Sequence, residues 1–278
     1  MILIDNKIID GKALSEQSLR ESRDKLINKD DVRGLAVLLI GENPSSELYV
    51  RLKKKACQKC GIPFHQYNFS KNATEQEILE CLDFLNNDDE VAGILIQLPL
   101  PQHLDTDKII ATMDYRKDID GFHPKNQANM KNCQYKMLPP LPLGIYEMIN
   151  ATGEKIVNKK IVILCNHKLF GDPFKCFWGQ ENKVDVVTTD DKDWKTLVKE
   201  ADVLIVSLGI AFFITRDMIK KDSIIIDVGI NQLHDGAVVG DVNLDDVIDT
   251  VKYISPVPGG VGPMTIAMLL KNLIELQK

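Results

Sequence analysis

Tyr49 and Lys53 stand four residues apart in GENPSSELYVRLKKKACQKCG, the spacing at which two side chains meet on one face of a helix. A turn of about 100° per residue points Lys54 and Lys55 elsewhere, so at most one of the three lysines enters a given cleft. Lys54 and Lys55 read as a solvated basic last turn that complements the helix dipole. Lys53 differs because it shares its face with an aromatic ring. An amine drawn into a partly apolar pocket loses hydration of its charged form, its pKa falls, and it can move protons near neutral pH. Tyr49 offers a flat surface for a heterocycle. In GILIQLPLP, Gln97 is the first polar side chain after a fully apolar run, and it can donate and accept at once, enough to orient a neutral lysine or a water. In KDIDGFHP, Asp118 and Asp120 alternate around Ile119. Loop carboxylates are commonly solvated turn formers, but beside a pocket one of them can accept two parallel N–H bonds from an amino-heterocycle.

These residues need elements to position them. Asn43 can cap a helix whose first turn accepts Pro44 and whose left-handed stop is Gly61, giving a helix over 44–60. Apolar β-rich runs at 34–41, 91–101, 159–165, 184–189, 201–209 and 223–230 alternate with helical patterns near 11–28, 44–60 and 74–87. That alternation predicts α/β architecture with parallel sheets and helices on their faces. Gln97 then lies at the carboxyl edge of its strand, where open α/β sheets bind ligands. A segment rich in Pro, Asn and Lys over about 115–142 reads as a domain connection, and an amphipathic helix from about 263 to the end is expected to pack back on the N-terminal domain.

Composition sets outer limits. The 278 residues suffice for two domains, and 44% hydrophobic with 27% charged residues is an ordinary globular composition. A formal charge of -6 argues against nucleic acid or an anionic bilayer as partner and favours a small-molecule ligand. No apolar run is long enough to cross a bilayer, and the start MILIDNKIIDGK is too charged for a signal peptide, so a cytoplasmic protein is expected. Cys57, Cys60, Cys81, Cys133, Cys165 and Cys176 are scattered as in a reducing compartment and are expected to be free thiols. Cys57 and Cys60 form a C-x-x-C without a second pair at zinc spacing, and the five histidines share no metal spacing; only His167 lies near chemistry, in a loop after a strand.

The blocks GENPSSELYVRLKKKAC (41–57), GILIQLPLP (93–101), KDIDGFHP (117–124), DVGIN (227–231), VGDV (239–242) and PVPGGVGPMT (256–265) resemble, in order and from end to end, the bifunctional methylenetetrahydrofolate dehydrogenase/methenyltetrahydrofolate cyclohydrolase family of the bacterial FolD type. The resemblance implies an N-terminal α/β folate-binding catalytic domain (1–118 plus 258–278), a connection (119–139) and a Rossmann-like doubly wound domain (140–255). It implies homodimers formed through the Rossmann-like domain. It assigns Lys53 as the catalytic lysine, Gln97 as its partner, Tyr49 as the residue stacking on the folate and Asp120 as the aspartate that engages the pterin. Pro258, Gly259, Gly260 and Val261 fall in the loop that closes over the substrate, a one-carbon derivative of tetrahydrofolate. Cofactor contacts are implied at Cys165, Asn166, His167, Gly171, Asp190 and Ile230.

The chain departs from the family pattern around the nucleotide. Gly-Arg-Ser is replaced by Cys165, Asn166 and His167; Val-Gly-x-Pro by Phe170, Gly171, Asp172 and Pro173; and Cys-His-Ser by a stretch Thr188, Thr189, Asp190, Asp191. Gly-Lys-Pro-Gly becomes Gly209, Ile210, Ala211 and Phe212, and Pro-Cys-Thr-Pro becomes Pro139, Pro140, Leu141 and Pro142. The missing arginine and the arriving acids disfavour NADP, and a carboxylate after the second strand accepts the ribose hydroxyls of NAD. Three readings follow: a dinucleotide site for NADP or NAD that tilts toward NAD, an eroded cofactor site under a working cyclohydrolase, or a folate-binding protein without turnover.

Overall fold

A computed structural model of the chain describes residues 3–4, 6–27, 29 and 31–277. Asn28 and Lys278, at the ends of two expected helices, lie outside the described residues. The chain forms two compact units, one of residues 16–140 with 266–278 and the other of residues 1–15 with 141–265.

The first unit holds a three-stranded parallel sheet in the order Phe64–Phe69, Gly34–Ile40, Val91–Ile96. Every residue of the central strand is buried, because alternate side chains enter cores on opposite faces. Leu35, Val37 and Leu39 pack with Val50, Ala56, Cys57 and Cys60 of the helix Pro44–Cys60 and with Leu269, Leu270 and Leu273 of the C-terminal helix Val261–Glu275. Ala36, Leu38 and Ile40 face the helix Glu75–Asn86 through Ile78, Leu82 and Leu85. The edge strand Phe64–Phe69 was not anticipated: only half its residues are drawn inward, and His65, Gln66 and Asn68 leave no apolar run to detect.

The second unit carries a seven-stranded sheet in the order Leu3–Ile4, Ile8–Ile9, Tyr253–Ile254, Ile224–Asp227, Val203–Ser207, Lys160–Cys165, Lys183–Val187. Only the pairing of the first two strands is antiparallel. Lys160–Cys165 lies between its two successors in sequence, so the winding reverses there and a crevice opens at the carboxyl ends of Lys160–Cys165 and Val203–Ser207. Trp194, Val198, Val247 and Val251 cover one face of this sheet over Val162, Leu164, Leu204 and Ile225.

The units are cut differently from the boundaries expected above. The first 15 residues and the segment 256–265 belong with the larger sheet. Ile8 pairs with Ile254, the Lys12 amide donates to Gly259 O at 2.9 Å, and a Cβ on Gly11 would meet Gly260 O at 2.0 Å. The connection 119–139 is part of the smaller unit and includes the helix Pro124–Lys131; Asn272 Nδ2 donates to Leu138 O at 2.8 Å.

Cys57, Cys60, Cys81 and Cys165 are free thiols, as expected, whereas Cys133 and Cys176 are half-cystines. Among the described residues no cluster of His, Cys, Asp or Glu could ligate a metal, and no helix is long and apolar enough to cross a membrane.

Candidate active site

The helix Pro44–Cys60 is set by its ends: Asn43 Oδ1 accepts from the amides of Ser45 and Ser46 at 3.0 and 3.1 Å, and Gly61 stops it at φ 73°. Its buried stripe runs Ser46, Val50, Lys53, Ala56, Cys57, Cys60. Lys53 thus falls on the core side and retains only 8% exposure, while Lys54 and Lys55 are exposed. Tyr49, one turn earlier, is half-buried, and burial raises its pKa and keeps the phenol neutral.

Lys53 Nζ donates to Gln97 Oε1 at 2.9 Å. Gln97 stands one residue beyond the strand Val91–Ile96; its amide N–H donates to Leu38 O at 2.9 Å, and its Nε2 donates to Leu98 O at 3.0 Å, which turns Oε1 toward the lysine. Burial lowers the pKa of the Lys53 amine, and the negative charge of Asp120 pulls it partly back.

The two aspartates of KDIDGFHP divide the work. The segment runs beside the strand Val91–Ile96, with Ile94 N–H donating to Lys117 O at 2.8 Å and Ile94 bridging Asp118 in parallel. Asp118 is fully buried and accepts from Gly121 N at 3.0 Å, His123 N at 2.8 Å and Asn126 Nδ2 at 2.9 Å, which folds the turn back on itself. Gly121, at φ 79°, supplies the left-handed residue that this turn requires. Asp120, two residues on, is half-buried and takes no hydrogen bond among the described residues. Burial raises its pKa to about 6, opposed by Lys53 and reinforced by Asp118. Lys53, Gln97 and Asp120 form one electrostatically linked group, with the acceptor atoms of Asp120 free.

The loop residues Pro258, Gly259, Gly260 and Val261 lie in the unit with the larger sheet; Pro258 is exposed, Gly259 half-buried, Gly260 and Val261 buried. Asn166, His167 and Ile230 are exposed at the carboxyl edge of that sheet. Asn166 Nδ2 donates to Leu208 O at 2.7 Å, joining the two lips of the crevice.

The crevice fits a dinucleotide in three respects. Cys165, which replaces a glycine of the family pattern, turns its thiol inward toward His167 O at 3.3 Å and Val187 O at 3.9 Å, so the added side chain is buried and not on the surface of the loop. A Cβ on Gly171 would stand 2.2 Å from Val186, so this glycine allows the close packing of the following helix on the second strand. The buried Asp241 accepts from the amides of Leu208, Gly209 and Ile210 at 2.6, 3.1 and 2.8 Å, fixing the opposite lip. Asp190 is exposed, whereas Asp191 is half-buried and bonded; sequence spacing could not separate these neighbours.

Residues 9–120 match the catalytic domain, and residues 139–278 the NAD(P)-binding domain, of tetrahydrofolate dehydrogenase/cyclohydrolase. The bifunctional protein FolD of Campylobacter concisus (strain 13826) is 41% identical over 272 residues, 96% of each chain. The crystal structure of the bifunctional FolD of Campylobacter jejuni is 40% identical, covers 97% of each chain and superposes with a TM-score of 0.92. The FolD enzyme of Trypanosoma brucei, solved with NADP cofactor and an inhibitor, is 28% identical over 97% of this chain and 96% of its own, with a TM-score of 0.90. These likenesses span both units and favour neither the eroded cofactor site nor the folate-binding protein without turnover. With both domains matched in order and relatives alike over nearly the full length, the chain belongs to the tetrahydrofolate dehydrogenase/cyclohydrolase family.

Proposed function

We propose that the protein oxidises 5,10-methylenetetrahydrofolate to 5,10-methenyltetrahydrofolate with a nicotinamide dinucleotide, and hydrolyses the product to 10-formyltetrahydrofolate. The observation that carries this reading is an amine at 8% exposure, held 2.9 Å from a glutamine oxygen, with an unpartnered carboxyl in electrostatic reach. In the hydrolytic step water adds to the electron-poor methenyl carbon and must lose a proton. Lys53, made less basic by burial, accepts that proton and returns one to N5 as the carbon–N5 bond breaks. Gln97 fixes the amine in place, because its Nε2 is committed to Leu98 O and its Oε1 faces Nζ. Ionised Asp120 accepts the paired N–H groups of the pterin, and Tyr49 stacks on the ring system.

For the oxidation, a nicotinamide dinucleotide, when held, would supply the acceptor for the hydride lost from the methylene carbon. The Cys165–His167 loop, Gly171 and the Asp241-fixed lip would hold the dinucleotide, and the absence of an arginine in that loop favours NAD. As the family resemblance implies, the chain works in the cytoplasm as a homodimer assembled through the NAD(P)-binding unit.

The test is a methenyltetrahydrofolate hydrolysis assay. Lys53→Met should cut the rate by about two orders of magnitude or more, the usual weight of a positioned acid/base group. Undiminished turnover in that variant would remove the lysine from the mechanism.

A further inference from the structure

Beyond the carboxyl edge of the larger sheet, the loop after the strand Lys160–Cys165 and the turn after the strand Lys183–Val187 are joined by one ion pair. Lys168 Nζ lies 2.8 Å from Asp191 Oδ1. The other oxygen, Oδ2, accepts from Thr188 N at 2.8 Å and Thr188 Oγ1 at 3.1 Å. The two strands are adjacent and parallel, with Leu164 beside Val187, so the pair spans the ends of the first and second strands of the doubly wound sheet. Asp191 stands 20 residues after Gly171, the distance at which a Rossmann acid reaches the adenosine ribose.

We propose that the Lys168–Asp191 pair selects NAD over NADP, with Asp191 as the acceptor for the ribose hydroxyls. The proposal rests on the reading that this unit binds a dinucleotide. A carboxylate has about four acceptor positions and three are taken here, so one remains for a ribose hydroxyl. Thr188 fixes its orientation from below, and Lys168 keeps it ionised. The same pair removes the cation that a 2′-phosphate would need. Lys168 supplies positive charge in this loop in place of the family's arginine, but Asp191 neutralises it, and a phosphate dianion approaching Lys168 meets the carboxylate as well. Lys168 is 56% exposed, so the lysine can swing away once its partner is gone.

The experiment is calorimetric titration of the full chain with NAD, NADP, ADP and adenosine 2′,5′-bisphosphate, which reads binding without turnover. Wild type should bind NAD more tightly than NADP. Asp191→Asn should narrow that ratio by about tenfold or more, chiefly by tightening NADP and adenosine 2′,5′-bisphosphate, because one repelling charge is lost and Lys168 is released. Lys168→Met should widen it. Circular dichroism spectra matching wild type establish that each variant is folded, and Asp191→Glu, which keeps the charge, should retain the preference for NAD. An unchanged ratio in folded Asp191→Asn overturns the pair as selector while leaving dinucleotide binding intact. A ratio that responds to Asp190→Asn instead overturns the choice of residue. Tighter NADP binding in wild type, abolished by Lys168→Met, would mean that the pair opens to receive the phosphate, and overturns the proposal. Binding of neither dinucleotide overturns it together with the dehydrogenase reading.

Discussion

Asp120 carries opposing demands on one carboxyl group. Its pKa is raised from 3.8 to about 6 by burial, so a free enzyme near neutrality holds it ionised at an energetic cost. At about 1.4 kcal/mol per pH unit that cost approaches roughly 3 kcal/mol. The sign follows from the folded value lying above the unfolded one: the stabilising contribution is present below about pH 4 and is lost as pH rises through about 6. Asp120→Asn should therefore raise the unfolding free energy at neutral pH and flatten its dependence between about pH 4 and 6, measured by urea denaturation. The same variant should weaken tetrahydrofolate binding by about 2 kcal/mol, since an ionised acceptor is replaced by a neutral amide. Wild-type affinity should fall below about pH 6 as the acceptor protonates, and affinity in the variant should not. A variant that is less stable and equally avid would contradict both halves of this account. Lys53 was legible because helical spacing alone separates it from Lys54 and Lys55. The inward turn of the Cys165 thiol was not, because a sequence shows that a glycine has acquired a side chain and not where that side chain goes.

At the scale of the element, the turn after Lys117 matters more than its length suggests. Asp118 and Asp120 look equivalent in KDID, and the division between them depends on which carboxylate the chain folds back upon. Three N–H donors converge on Asp118 from Gly121, His123 and Asn126. Asp118→Asn would turn an amide NH2 toward at least one of those donors, loosening the turn that carries Asp120. It would also remove a negative charge that raises the Asp120 pKa. The expected result is a higher KM for the folate with kcat little changed, and an acid limb of the affinity profile displaced to lower pH. A loss confined to kcat with an unmoved profile would place Asp118 in the chemistry instead. Elements with a continuous apolar core face, such as Gly34–Ile40 and Val91–Ile96, declare themselves in sequence; Phe64–Phe69 does not, because His65, Gln66 and Asn68 interrupt its apolar residues and half of it stays exposed.

At the scale of the molecule, the chain visits the larger sheet, leaves to build the smaller unit, returns, and ends in the smaller unit. The first visit is made by strands of two residues, too short to show any period, so no sequence pattern assigns the opening residues to the larger sheet. Their allegiance has a measurable consequence. Ile9 is fully buried, and its neighbour Ile8 is in register with Ile254, which in turn pairs with Ile225. Ile9→Ala removes a buried branched side chain, a change that costs about 2 to 5 kcal/mol where the site cannot collapse. In native-state hydrogen exchange the protection lost should appear at the amides of Ile225, Ile254 and Ser255, which belong to the sheet that Ile9 serves. The amides of the strand Gly34–Ile40, remote in allegiance though near in sequence, should keep theirs. Loss of protection first in Gly34–Ile40 would assign the opening residues to the smaller unit after all, and would restore the boundary that the sequence suggests.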